Sequence, residues 1–376
     1  MIQRLITPQL NNYFAYGKVI VVIGARQVGK TTLIQNLASE SQKVLMLNCD
    51  NYDERAEVEN KTSTELRALL NGYDIAFIDE AQRVANIGLT IKMIADMKLD
   101  TKVVVTGSSS LDLADGISEA ATGRHIDFML YPLSVEELVN HTSLRDERRM
   151  LSTRIIYGMY PEIVTNPGDA RRMLTMLAND YLFKDVLSYK GIKKPAVLQK
   201  LLRALALQVG SEVSYNELAG LLGIDKATVE NYITLLEKCF VVFTLESFSR
   251  NMRNEIKKGK KIYFYDNGIR NAIINNFAIP ELRNDMGALW ENFVISERMK
   301  RNAYSDAYAH LYFWRTHAQQ EIDLIEERDG QINTFEFKYN GKVTAKMPMA
   351  FANAYPGSTF CVVTLDNYMD FVCSGK

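Results

Sequence analysis

The sequence predicts an α/β protein: a parallel sheet flanked by helices over the first third, then a helical stretch, then a mixed α/β region. Three observations predict it. Short apolar runs alternate with amphipathic stretches as far as about residue 130. Those runs are nearly all apolar rather than alternating, as expected of strands buried on both faces. After Tyr131-Pro132 the apolar spacing becomes helical, and strand-like runs return only from Val241 onward. At roughly 150 residues per domain, 376 residues suggest two or three domains.

The apolar runs are Val19 to Ile23, Val44 to Leu47, Ile75 to Ile78 and Val103 to Val105, with His125 to Leu130 as a fifth strand. Helical spacing runs through Leu133 to Leu138 and again from Met173 to Val186. From Pro195 to about Phe248 the order reads helix, helix, helix, strand. Ser214 opens a short helix, Gly223 punctuates it, and Asp225 caps a second helix reaching about Lys238, which is winged-helix spacing. Strands Val241 to Phe248 and Lys261 to Tyr265 would flank a wing tip. A helix over Ala288 to Lys300 follows, and Asp329-Gly330 sits between two β-rich runs as a hairpin turn should.

Composition narrows the function classes. Lys+Arg 44 against Asp+Glu 45 leaves a formal charge of -1, so no global field draws the chain to nucleic acid or an anionic membrane. Hydrophobic residues at 47% and charged residues at 24% match an ordered globular chain. The four cysteines, Cys49, Cys239, Cys361 and Cys373, have neither CxxC spacing nor a His partner, which argues against a zinc site or disulfide framework. No secretory or membrane-spanning pattern is apparent, so the expected compartment is the cytoplasm.

One motif carries the strongest chemistry. Gly24-Ala25-Arg26-Gln27-Val28-Gly29-Lys30-Thr31 fits GxxxxGK[ST], follows an apolar strand and opens a helix with Leu33, Ile34 and Leu37 on one face. Its glycines let backbone N–H groups wrap a polyphosphate, Lys30 neutralises charge near the outer phosphates, and Thr31 can ligate Mg²⁺ at the helix N-terminus, with Thr32 next along the phosphate-binding turn. Ile75 to Ile78 ends in Asp79-Glu80, placing Asp79 to hold Mg²⁺ and Glu80 to polarise an attacking water. Thr106 and Ser108, closing the run Val103 to Ser110, are candidates to sense a γ-phosphate or orient that water. They also suit an ordinary strand-to-helix turn. Arg124 is a candidate to place positive charge on a transition state, in its own subunit or a neighbour's, or to be a surface arginine paired with a carboxylate.

On these residues the segment Val19 to Ser134 resembles the AAA-type P-loop ATPases of bacteria and archaea that carry a glutamate beside the Walker B aspartate. Gly123-Arg124, Tyr131-Pro132-Leu133-Ser134 and Glu137 look like the subgroup with a C-terminal domain of uncharacterised function. The likeness continues through Tyr160-Pro161-Glu162 and Asp180 to Asp185, where Gly158-Met159 stands in place of two glycines, a change expected to be structural. The resemblance implies an ATPase domain over 1–140, a helical connector over 141–194, a winged helix over 195–266 and a restriction-endonuclease-like fold over 267–376. It implies ATP and Mg²⁺ as ligands and allows a homo-oligomer.

In that light Asp323, then Glu336 and Lys338 on one strand face, with Glu291 on a helix, suit a nuclease site holding a second divalent metal. The same residues suit a solvated charged hairpin. Lys257-Lys258-Gly259-Lys260-Lys261 would grip phosphates at the wing tip or simply form a soluble turn. The recognition helix mixes Lys226 and Lys238 with Asp225, Glu230 and Glu237, as suitable for a protein partner as for DNA. Two functions stand: an ATPase driving a nucleic-acid-handling unit, or an ATP-controlled switch binding a protein through an inactive nuclease-like fold.

Overall fold

A computed structural model describes all residues except 39–41, 109–120, 181–185, 187–191, 193, 250–258, 317, 342–344 and 375–376. Ser109, Ser110, Lys257, Lys258 and residues 181–185 therefore lie outside the described residues, as does the side chain of Asp180. The chain divides into one unit of Met1–Pro132 with Lys238–Phe240, and a second of Leu133–Glu237 with Val241–Lys376.

The first unit is built on five parallel strands, β1 (Val19–Ile23), β2 (Val44–Asn48), β3 (Ile75–Asp79), β4 (Lys102–Gly107) and β5 (His125–Met129), in the order β2-β3-β4-β1-β5. β1, β3 and β4 are central and almost wholly buried. β2 departs from the expectation of burial on both faces. As an edge strand it leaves Val44 and Asn48 exposed, and β5, at the other edge, exposes Asp127. Helices Ser63–Leu70 and Ile87–Asp96 cover one face, burying Leu66, Leu70, Ile87, Ile91 and Ile94 in a core with Val21, Ala76, Ile78, Val103 and Val105. Thr62 and Glu65 form a reciprocal capping box on the first of these helices. Register pairs Ile23 with Gly107 and Ile78 with Val105, so the carboxyl ends of β1, β3 and β4 share one edge.

The second unit begins with helices. Ser134 and Glu137 cap the helix Val135–His141, and Leu144–Tyr157, Pro161–Thr165 and Ala170–Asp180 follow. Gly158, at φ 76°, explains the Gly-Met-Tyr-Pro stretch: a Cβ there would stand 2.1 Å from Asp266 Oδ1. The Asp266 carboxylate instead accepts the Met159 N–H at 2.6 Å and the Ile269 N–H at 3.1 Å. Helices Pro195–Leu207, Tyr215–Leu222 and Lys226–Lys238 come next. Ser214 caps the second, Gly223 ends it in the left-handed region, and Asp225 accepts the Thr228 N–H at 2.8 Å.

A seven-stranded mixed sheet then takes strands from both sides of residue 266. Its members are β6 (Glu212–Val213), β7 (Val242–Ser247), β8 (Lys260–Phe264), β9 (His310–Arg315), β10 (Glu321–Arg328), β11 (Gln331–Lys338) and β12 (Thr359–Thr364), ordered β12-β11-β10-β9-β7-β8-β6. β7 runs parallel to β9, joining the strands beside the short helices to those of the C-terminal hairpin. The β10-β11 turn has Asp329 and Gly330 both at positive φ, as a two-residue hairpin requires. The nineteen-residue helix Met286–Tyr304 packs against this sheet and buries Leu289, Trp290 and Phe293.

Candidate functional site

At the carboxyl edge of the first sheet the chain leaves β1 through Gly24. A Cβ on Gly24 would stand 2.2 Å from the Leu130 carbonyl oxygen, so only glycine passes that close to the strand beside it. Gln27 and Gly29 take positive φ, turning Gly24 to Gly29 into a loop that feeds the helix Lys30–Gln35. Lys30 is buried, and its Nζ donates to the carbonyls of Gly24 at 3.0 Å and Ala25 at 2.9 Å, folding the ammonium into the loop. Arg26 is half-buried, Val28 fully buried, and Gln27, Thr31 and Thr32 are exposed.

Arg4 is a residue that motif reasoning misses. Buried itself, it donates to the Val28 carbonyl at 2.7 Å and to the Tyr131 carbonyl at 2.6 Å, tying the loop to the end of β5. It stands twenty-four residues from Val28, outside any local motif.

β3 ends in Asp79, 4% exposed. Thr31 Oγ1 donates to Asp79 Oδ2 at 2.7 Å, the Thr106 hydroxyl donates to Oδ1, and the Glu80 N–H reaches Oδ1 at 3.1 Å. Glu80 has φ 52°, a left-handed conformation that a non-glycine residue adopts only when its surroundings impose it. Its Oε2 accepts the Gln82 amide and, at 3.1 Å, the Ser108 hydroxyl, while the same amide reaches Ser108 Oγ at 2.9 Å. Gln82 Oε1 is buried and finds no partner among the described residues. Each of these bonds to Asp79 and Glu80 comes from a neutral donor. The structure thus brings Lys30, Thr31, Asp79, Glu80, Thr106 and Ser108 to one edge, and adds Gln82.

Arg124 is not brought there. Its carbonyl accepts the N–H of Val19, at the amino end of β1, which is five residues or about 16 Å of strand from the loop. Its guanidinium pairs with Asp96 at 2.8 Å, both half-exposed.

Residues 16–139 match the AAA domain model, over the loop, both carboxylates and all five strands. The N-terminal unit is an AAA-type P-loop domain. After the AAA domain, residues 148–279 match a domain of unknown function, DUF8612, and residues 286–371 match another, DUF4143. Among curated relatives, an uncharacterised protein of Mycobacterium tuberculosis is 26% identical over 325 residues, 85% of this chain and 70% of that one. An uncharacterised protein of Haemophilus influenzae is 22% identical, over 83% of this chain and 80% of that one. Among solved structures, a Walker-type ATPase of Pyrococcus abyssi superposes with a TM-score of 0.50 at 14% identity, covering 73% of this chain and 96% of that one, which is likeness of fold.

A second acidic cluster lies in the C-terminal unit. Glu291, on the long helix, accepts the Tyr263 hydroxyl at 2.6 Å and faces Lys261 Nζ at 3.2 Å. Lys261, 2% exposed, also reaches Glu321 at 2.5 Å. Asp323 sits where the β9-β10 register shifts, and its Oδ2 accepts the Phe337 N–H at 2.8 Å. Glu336 is held by Lys338 at 2.7 Å. Burial, then the charges of Glu291 and Glu336, hold the Asp323 carboxyl well above the usual carboxylate range. Burial likewise raises Glu291 against the pull of Lys261 and Tyr263. For Lys261, burial opposes the charge, but Glu291 and Glu321 outweigh it and lift the ammonium to about 12. Glu291 meets Tyr263 and Lys261, and Lys261 joins it to Glu321, none of which the sequence places there; Asp323 is held by the Phe337 N–H, and Glu336 pairs with Lys338.

The two described lysines of the run, Lys260 and Lys261, are engaged by acids rather than left open at a tip. Lys261 points inward to the acids, and Lys260 lies 3.7 Å from Glu246 and over the Tyr215 ring. Alternation along β8 sends the two side chains to opposite faces. On the helix Lys226–Lys238, the exposed positions include Lys226, Ala227, Glu230, Asn231 and Thr234, one base against one acid. Among the described residues, no helix is long and apolar enough to cross a membrane.

Proposed function

We propose that the N-terminal unit is a Mg²⁺-dependent ATPase whose nucleotide state controls the C-terminal unit. The observation that carries this is the contact of Thr31 with Asp79 beneath a loop that holds Lys30, with Glu80 alongside. A hydroxyl and a carboxylate in contact form the hard-oxygen donor set that Mg²⁺ prefers, and few protein ligands suffice because phosphates and water complete the shell. Thr31 and Asp79 would hold the ion, which neutralises charge between the outer phosphates when bound.

The remaining work falls to side chains and backbone. N–H groups of the loop beyond Gly24, as far as Thr32, bind the polyphosphate, while the Gly24 N–H stays on the Gly107 carbonyl, and Lys30 leaves the Gly24 and Ala25 carbonyls to meet phosphate charge. Glu80 accepts a proton from the attacking water, with its carboxylate aimed by Ser108 and Gln82. Thr106 fixes Asp79 from β4.

For the C-terminal unit, the single acid and single base on the exposed face of Lys226–Lys238 favour a protein partner over a duplex. Phosphate release with ATP and Mg²⁺ tests the ATPase reading. Loss of turnover in Lys30→Ala supports it, and turnover indifferent to that change sinks it. A gel-shift series with single-stranded and duplex DNA across salt tests the partner reading. Affinity that falls steeply with salt would turn the choice toward nucleic acid.

A further inference from the structure

The geometry points to Lys261 as the resident cation of the C-terminal acidic cluster: its ammonium fills the place a divalent metal would take, so the cluster binds no metal and cuts no phosphodiester. The ammonium bridges Glu291 at 3.2 Å and Glu321 at 2.5 Å, is 2% exposed, and lies over the Phe313 ring.

One oxygen of each of these carboxylates is otherwise engaged. The Tyr263 hydroxyl takes Glu291 Oε1, the Phe337 N–H takes Asp323 Oδ2, and Lys338 takes Glu336 Oε1. Among the described residues, no three His, Cys, Asp or Glu side chains converge as a metal-holding group. A divalent ion entering here would leave the Lys261 ammonium buried beside it, with its carboxylate partners withdrawn, a heavy desolvation cost. Lys261 and Lys338 thus neutralise the acids that would otherwise draw a metal, and the Lewis-acid charge that a metal would bring to a phosphodiester is missing. The sheet and helix bring Glu291 and Glu321 to either side of one ammonium, and the lysine closes the site. This inference does not rest on ATP hydrolysis, and phosphate release reads that reaction separately.

The test is a titration of the full, nucleotide-free chain with Mn²⁺, reading free ion by electron paramagnetic resonance. The proteins compared are wild type, Asp323→Asn, Lys261→Met and the double variant. Because Asp79 is intact in all four, any ion bound at the N-terminal unit cancels. Wild type and Asp323→Asn should bind equally, Lys261→Met should gain one site, and Asp323→Asn should remove that gain. A site in wild type that Asp323→Asn abolishes overturns the inference, and so does a folded Lys261→Met, checked by circular dichroism, that gains none. If Lys261→Met does not fold, wild type against Asp323→Asn still decides, joined by plasmid nicking with Mn²⁺. Equal nicking is expected, and a tenfold or greater drop in the variant would contradict the proposal.

Discussion

Two groups of carboxylates, one in each unit, have opposite surroundings. At the AAA domain, Asp79 and Glu80 are met by hydroxyls, an amide and a backbone N–H, all neutral. In the C-terminal unit, neutral donors reach Asp323 and Glu291 as well, but Glu291, Glu321 and Glu336 are also met by the ammonium groups of Lys261 and Lys338. Neutral donors orient a carboxylate without using up its charge, so a metal and a water can still be drawn to it. Ammonium partners cancel the charge and hold the shape. Residue type alone does not make an acidic cluster a working site; what stands against the acids decides.

Perturbing the open site should have the largest effects. Lys30→Ala removes the charge that meets the phosphates and should lower ATP turnover on the order of 10²–10³-fold, measured as phosphate release. Gln82→Ala should cost roughly tenfold, about 1.5 kcal/mol for one hydrogen bond to a charged group. Gln82 is a positioning residue, so the loss should appear in kcat with KM for ATP little changed. No change in kcat would mean that Glu80 holds its direction unaided.

Arg4→Met sharpens the comparison from the side of stability. It leaves the Val28 and Tyr131 carbonyls without their guanidinium partner and should destabilise the chain by about 1.5–3 kcal/mol, read by denaturant unfolding. The closed cluster should respond more weakly and with the opposite sign. Because the folded-state pKa of Asp323 is raised, the folded protein binds more protons than the unfolded chain between the ordinary carboxylate value, ~4, and the raised one. Stability therefore falls as pH rises through that window. Asp323→Asn removes this fall and should match wild type near pH ~4, then exceed it by about 2–4 °C in Tm at neutral pH for each kcal/mol relieved. A variant less stable than wild type at neutral pH would mean that the charge of Asp323 is needed.

The phosphate loop and the strands β1, β3 and β4 were readable because both have local signatures: a fixed spacing of glycines and lysine, and apolar runs too dense for an exposed strand. The caps at Ser214 and Asp225 and the turn at Asp329-Gly330 were readable for the same reason. Arg4 was not, since its partners stand 24 and 127 residues away and a lone arginine carries no pattern. Lys261 was read as part of a basic run because sequence shows that four lysines are neighbours and not which way each side chain faces. Arg124 looked like a candidate because its distance along β5 from the loop edge depends on strand register, which composition does not record. The single sheet that spans residue 266 was hidden because the parallel pairing of β7 with β9 joins segments about 65 residues apart.

Glu80 activating water at a nucleotide held by the loop is the step on which the proposed function turns. The direct measurement is ATP binding and phosphate release by the full chain, wild type against Glu80→Gln, with Mg²⁺ present. Binding should survive while release falls by on the order of 10²–10⁴-fold. Equal release from both proteins would contradict it.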